Sequence, residues 1–134
     1  MPAGSRPRIM LAIVAAVLAA TAAVAWAGPE DTAKLTNLTA TPKRFCAKTS
    51  DTCTRPGTTL RFRLSTPAKV IADIRPRSSN ILGYHEFTRR FPAGANSVRV
   101  NDSRLTTGRW QFKLQPINNV GASGPTILDV RVIK

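Results

Sequence analysis

Beyond residue 27 no stretch of this chain sustains a 3.6-residue apolar period, which excludes a helical domain there. Acids are scarce: seven Asp and Glu stand against twenty Lys and Arg, a formal net charge of +13. Apart from Glu30-Asp31 no two of them lie close in sequence, so a paired-carboxylate glycosidase or a calcium loop has no visible frame. His85 is the one histidine, and a Ser-His-Asp arrangement would need it as base with Asp73 or Asp102 orienting it. A solitary histidine between Tyr84 and Glu86 on an exposed strand is the simpler reading. Gly121-Ala-Ser-Gly124 lies in a strand-to-strand turn and is no nucleophile elbow, and no glycine loop is built to cradle phosphate. Two cysteines are too few for a structural zinc site. These shortages lead to a non-enzymatic expectation, with no catalytic residues, no metal and no cofactor.

What is present begins with an export signature. Arg6 and Arg8 precede an uncharged, alanine-rich run from Ile9 to Trp26, and Ala25-Trp26-Ala27 fits small-residue cleavage. Residues 1–27 are therefore read as a signal helix cleaved near Ala27, giving a secreted or cell-surface protein. The competing reading is a membrane anchor at residues 9–26, the one membrane contact expected of the chain, and that only if the segment stays uncleaved. Residues 28–33 read as a flexible leader, and the folded domain is expected over 34–134. In an exported chain the default state of Cys46 and Cys53 is a disulfide.

The domain reads as all-β. Leu60, Phe62 and Leu64 alternate with polar residues, Ser65-Thr66-Pro67 breaks the run, and Val70 and Ile74 resume the same two-residue period. Val98 with Val100, then Trp110, Phe112 and Leu114, then Val130 with Val132 repeat the pattern, and these side chains are the expected core anchors. Strands are expected to begin near residues 35, 59, 69, 83, 97, 109 and 126. About seven strands in this length point to a two-sheet antiparallel sandwich; an open barrel, its competitor, would use fewer and longer strands. Residues 46–57 carry loop chemistry, and Pro42 limits the segment before them to an irregular edge.

Leu64-Ser-Thr-Pro-Ala68 before a valine-bearing strand, Ala93-Gly-Ala-Asn96 before Val98-Arg-Val100, Leu105-Thr-Thr-Gly-Arg-Trp110 and Asn118-Asn-Val-Gly121 follow one another in an order that resembles the immunoglobulin-like or fibronectin-type-III-like modules of secreted bacterial proteins, actinobacterial ones in particular. The resemblance covers nearly all of residues 34–134. It implies the sandwich fold and a binding or spacer role at the cell surface with an extracellular or envelope partner, and it names no ligand. Such modules usually carry Tyr where Trp110 stands, similar to a tyrosine corner, and often Asp where Asn118 stands; an indole N–H can donate a hydrogen bond but not accept one.

Arg6 and Arg8 are the only basic residues before position 28, so the remainder keeps eighteen cations against all seven acids. Strand parity sends Arg61, Arg63 and Arg99 to one outer face and Arg75, Arg109, Lys113 and Arg131 to the other, with Arg89 and Arg90 beside the aromatic stretch that starts at Tyr84. Charge on both faces, with few aromatics between, supports the alternative reading of a secreted cationic protein that binds envelope polyanions or extracellular DNA diffusely, without a localised site.

Overall fold

Alternation decides the architecture. Within Thr58–Leu64 the side chains of Leu60, Phe62 and Leu64 are buried while Arg61 and Arg63 between them are exposed, so one face of the strand meets a core and the other meets water. The computed structural model describes residues 31–78 and 82–134, and the expected signal segment lies outside the described residues. Eight strands follow in order: β1 (Leu35–Thr41), β2 (Arg44–Cys46), β3 (Thr58–Leu64), β4 (Ala68–Pro76), β5 (Tyr84–Phe91), β6 (Gly94–Val100), β7 (Gly108–Ile117) and β8 (Thr126–Ile133). They form two sheets, β1-β3-β6 and β2-β8-β7-β4-β5. No helix occurs among the described residues.

Two expectations are corrected here. The described residues hold eight strands where about seven were expected, because Arg44-Phe-Cys46, read as the end of an irregular edge, pairs with β8. That pairing is parallel, so the five-stranded sheet is mixed rather than purely antiparallel. The physical cause is Pro42, which has no amide proton to continue the β1–β3 ladder. The chain leaves one sheet there and joins the far edge of the other. Thr58, fully buried, donates its hydroxyl to the Pro42 carbonyl at 2.7 Å and closes the corner. Prolines also lie at three of the four later crossings between the sheets, Pro56 before β3, Pro67 between β3 and β4 and Pro92 between β5 and β6.

The compact unit spans Thr32–Lys134. Ala33, expected in the flexible leader, is fully buried, and its carbonyl accepts a hydrogen bond from the Ser123 hydroxyl. Between the sheets lie all the expected anchors, Leu60, Phe62, Leu64, Val70, Ile74, Val98, Val100, Trp110, Phe112, Leu114, Val130 and Val132, together with Phe45, Phe91 and Leu105. Phe62 meets Phe91 edge to face at 5.1 Å, joining the three-stranded sheet to the edge of the five-stranded one. Gly57 precedes β3 with φ +95, and a Cβ there would stand 2.4 Å from the Val100 carbonyl oxygen, so both backbone and space require glycine.

Cys46 and Cys53 are bonded, with Cα atoms 6.1 Å apart. The bridge and the 2.8 Å hydrogen bond from Gly57 N–H to the Cys46 carbonyl hold the end of β2 against its loop.

Candidate functional site

The outer face of the five-stranded sheet carries the densest charge arrangement. Arg131 on β8 is in register with Arg44 on β2 and with Arg109 on β7. The Arg77 N–H donates to the Arg109 carbonyl at 3.0 Å, which extends the row past the end of β4. Four arginines thus line up across the strands, with Lys43 beside them; its carbonyl accepts the Arg131 N–H at 2.9 Å. They rim an open hollow of about 430 Å³ whose one acid is Asp129. Asp129 is occupied: Gln111 Nε2 donates to it at 2.9 Å and Arg77 lies 3.8 Å away. Among the described residues Arg44, Arg109 and Arg131 enter no ion pair. Like charges directly opposite one another destabilise a sheet by tenths of a kcal/mol or more, so this row works against the fold that holds it.

The next rows on the same face follow from the ladders. Arg75 stands opposite Gln111, and Lys113 opposite Asp73. Arg90 on β5 is opposite Lys69. Arg89 falls at an inward-facing register position, and its guanidinium lies 5.1 Å from the Phe91 ring centroid. On the three-stranded sheet Arg61, Arg63 and Arg99 are exposed, but they oppose Ser97, Ala95 and Thr59 rather than one another. Arg99 is also tied to the Pro56 carbonyl at 2.6 Å. Both faces are therefore cationic, and only one aligns its arginines across neighbouring strands. Arg44 and Lys43 escape a sequence reading because their place depends on the parallel pairing of β2, and Arg77 because it joins the row through a backbone bond to Arg109 beyond the end of β4; no local pattern announces either.

A second cluster lies between the start of β5 and the loop after β6. The β4–β5 ladder shifts register so that Glu86 is the extra residue of a bulge, and it turns inward beside Phe87. There it meets Asp102, a pair of acids sixteen positions apart in sequence. Burial first, and then the hydrogen bond it shares with Asp102, push the Glu86 carboxyl up to about 8. Its Oε2 is buried with no hydrogen-bond partner among the described residues. Asp102 moves the other way, held well below the usual carboxylate range by the Arg104 guanidinium, with Nε and Nη2 at 2.9 and 2.8 Å. The two carboxyl groups are thus pushed in opposite directions, Glu86 by burial and Asp102 by its guanidinium partner. Arg104 also lies 4.1 Å above the Tyr84 ring, and Tyr84 stacks on Trp110 at 6.2 Å. Trp110 is 4% exposed and donates its indole N–H to the Thr106 carbonyl at 2.8 Å.

His85 turns outward from the bulge. Its Nδ1 is 2.9 Å from Asp73 Oδ1 and its Nε2 is 3.0 Å from the Thr88 hydroxyl. The order of groups is that of a relay, but the His85 and Asp73 side chains are 54% and 44% exposed, so water competes for each hydrogen bond. The set reads as a cross-strand polar pair on a wet face.

Comparison with protein-family models, with curated proteins and with solved structures gives no match. The class is accordingly defined by the chain itself: over the described residues it is an all-β, two-sheet protein with cationic side chains on both outer faces.

Proposed function

We propose that this chain is an exported, non-catalytic module of the immunoglobulin-like type that acts at the cell surface, and that what it binds there is polyanionic. The observation that carries this reading is the charge of both sheets. Arg61, Arg63 and Arg99 on one outer face, and Arg75, Arg109, Lys113 and Arg131 on the other, are all exposed to solvent. A surface potential of one sign draws and concentrates polymers of the other.

The immunoglobulin-like assignment is supported by the partition of strands. Immunoglobulin-like sandwiches put their A, B and E strands in one sheet and their C, F and G strands in the other. Here β1, β3 and β6 share one sheet, and β4, β7 and β8 lie consecutively in the other. Export is supported by the apolar run after Arg8, by Ala25 and Ala27, and by the bonded cysteines.

The test is retention of envelope and culture-fluid polymers by the protein over a salt series, with intact mass measured on the extracellular form. The expected form begins at Gly28, and the expected binding weakens steeply as salt rises. A full-length mass confined to membranes would replace export by anchoring. Binding that holds at high salt would replace the charge reading by an apolar or shape-specific one.

A further inference from the structure

Cations set side by side on a rigid sheet define where an anion can sit and what form it takes. We propose that the row Arg44, Arg131, Arg109 and Arg77 is a localised binding site for a linear phosphodiester polymer without bases, such as a polyol phosphate. This rests on the polyanion reading above and names the site and ligand class within it.

The first argument is register. Arg131 is flanked on both sides by an arginine at its own level of the sheet, and none of these three has an acid to neutralise it among the described residues. Neighbouring strands lie roughly 4.8 Å apart, so the row from Arg44 to Arg109 runs about 10 Å, and Arg77 carries it one strand further. That length exceeds one inorganic phosphate and suits successive phosphates of one chain. The guanidinium fork matches phosphate oxygens two at a time, which a lysine ammonium does not.

The second argument is direction. Asp129 sits in the neighbouring row, held by Gln111 and Arg77. An anionic chain laid along the strands would pass over that carboxylate. One laid across the strands stays on arginine. The third argument is the lining of the hollow, which among the described residues includes no aromatic to stack on. Tyr84 and Trp110 are stacked on each other instead. Single-stranded nucleic acid draws much of its affinity from such stacking, so the site favours a polymer without bases.

The row is also held in place. β2 is fixed at its end by the Cys46–Cys53 bridge, and β7 and β8 pair along seven consecutive positions from Thr126 to Val132. A charged site on paired strands keeps its geometry without the ordering cost of a loop.

The test is calorimetric titration of the purified protein with poly(glycerol phosphate), inorganic phosphate, single-stranded DNA and polyglutamate at one moderate salt concentration. Two triple variants remove equal charge: Arg44→Gln with Arg109→Gln and Arg131→Gln, and Arg61→Gln with Arg63→Gln and Arg99→Gln. A third, Arg131→Lys, keeps the charge and removes the fork, and circular dichroism checks that all remain folded. Poly(glycerol phosphate) is expected to bind best, with a loss of about tenfold or more in the row variant and about twofold in the other, since the row supplies the phosphate contacts. Arg131→Lys is expected to weaken binding measurably. Equal losses from the two triple variants would overturn the site while leaving the polyanion reading standing. Polyglutamate or DNA bound as tightly as poly(glycerol phosphate), or inorganic phosphate bound as tightly as the polymer, would overturn the ligand class. No binding of the unmodified protein to any of the four would overturn the polyanion reading and the site together.

Discussion

Arg131 stands directly opposite Arg109 in the antiparallel ladder between β8 and β7. Two exposed guanidinium groups at one level of a sheet repel, and Arg44 on the other side of Arg131 adds a third. Replacing Arg131 by Gln relieves both contacts at once. The variant is expected to be more stable by about 0.2 to 1 kcal/mol at low salt, with the gain shrinking as salt screens the charges. Urea denaturation at two ionic strengths checks it. A variant less stable than the unmodified protein at low salt would contradict the repulsion.

The Glu86–Asp102 pair predicts a pH dependence with a definite sign. The Glu86 carboxyl is raised from 4.5 to about 8 in the folded chain, so between those values the folded state holds a proton that the unfolded state has released. Stability contributed by this proton is fully present below about 4.5 and is lost as pH rises through about 8. Above that, two carboxylates share one Arg104. Urea midpoints measured from about pH 5 to 9 should fall with pH, and Glu86→Gln, which keeps a donor toward Asp102 and cannot ionise, should flatten the profile. An equal slope in the variant would assign the pH dependence to another group.

Trp110 closes the core beneath Tyr84 and anchors the loop before β7 through its bond to the Thr106 carbonyl. Trp110→Ala is expected to cost about 3 to 5 kcal/mol, and Trp110→Phe to keep most of the packing while losing the hydrogen bond, about 0.5 to 1.5 kcal/mol of it. Blue-shifted tryptophan fluorescence in the folded state and thermal melts of both variants test this. A fully stable Trp110→Ala protein would place the indole outside the core.

Reduction of the Cys46–Cys53 bond opens a loop of seven-residue separation. The loop-closure entropy at stake is about 2 to 2.5 kcal/mol, enough to lower stability without unfolding the domain. Because Cys46 ends the strand that carries Arg44, reduction is also expected to weaken polymer binding, which titration in the presence and absence of reductant measures. Unchanged affinity would show that β2 keeps its place without the bridge.

The buried face of each long strand was legible because alternation is local: Leu60, Phe62 and Leu64 announce it within a single strand. The same parity placed Arg61 and Arg109 on opposite outer faces. Which cations become neighbours is another matter, since it depends on register between strands far apart in sequence. Arg44 and Arg131 meet through a three-residue parallel strand too short to show a period, and diffuse charge was the expectation that followed. The bulge at Glu86 was hidden for a related reason. One extra residue in a strand turns two successive side chains, Glu86 and Phe87, to the same side, and alternation read straight through that point assigns one of them wrongly.

The most direct measurement is a nuclear magnetic resonance titration of isotope-labelled protein with poly(glycerol phosphate), following backbone amides and arginine side-chain Nε–H groups. The account predicts that the largest shifts fall on Arg44, Arg109 and Arg131 and on the backbone of β2, β7 and β8, and that they fade as salt is added. Shifts of equal size at Arg61, Arg63 and Arg99 would contradict a localised site on the five-stranded sheet.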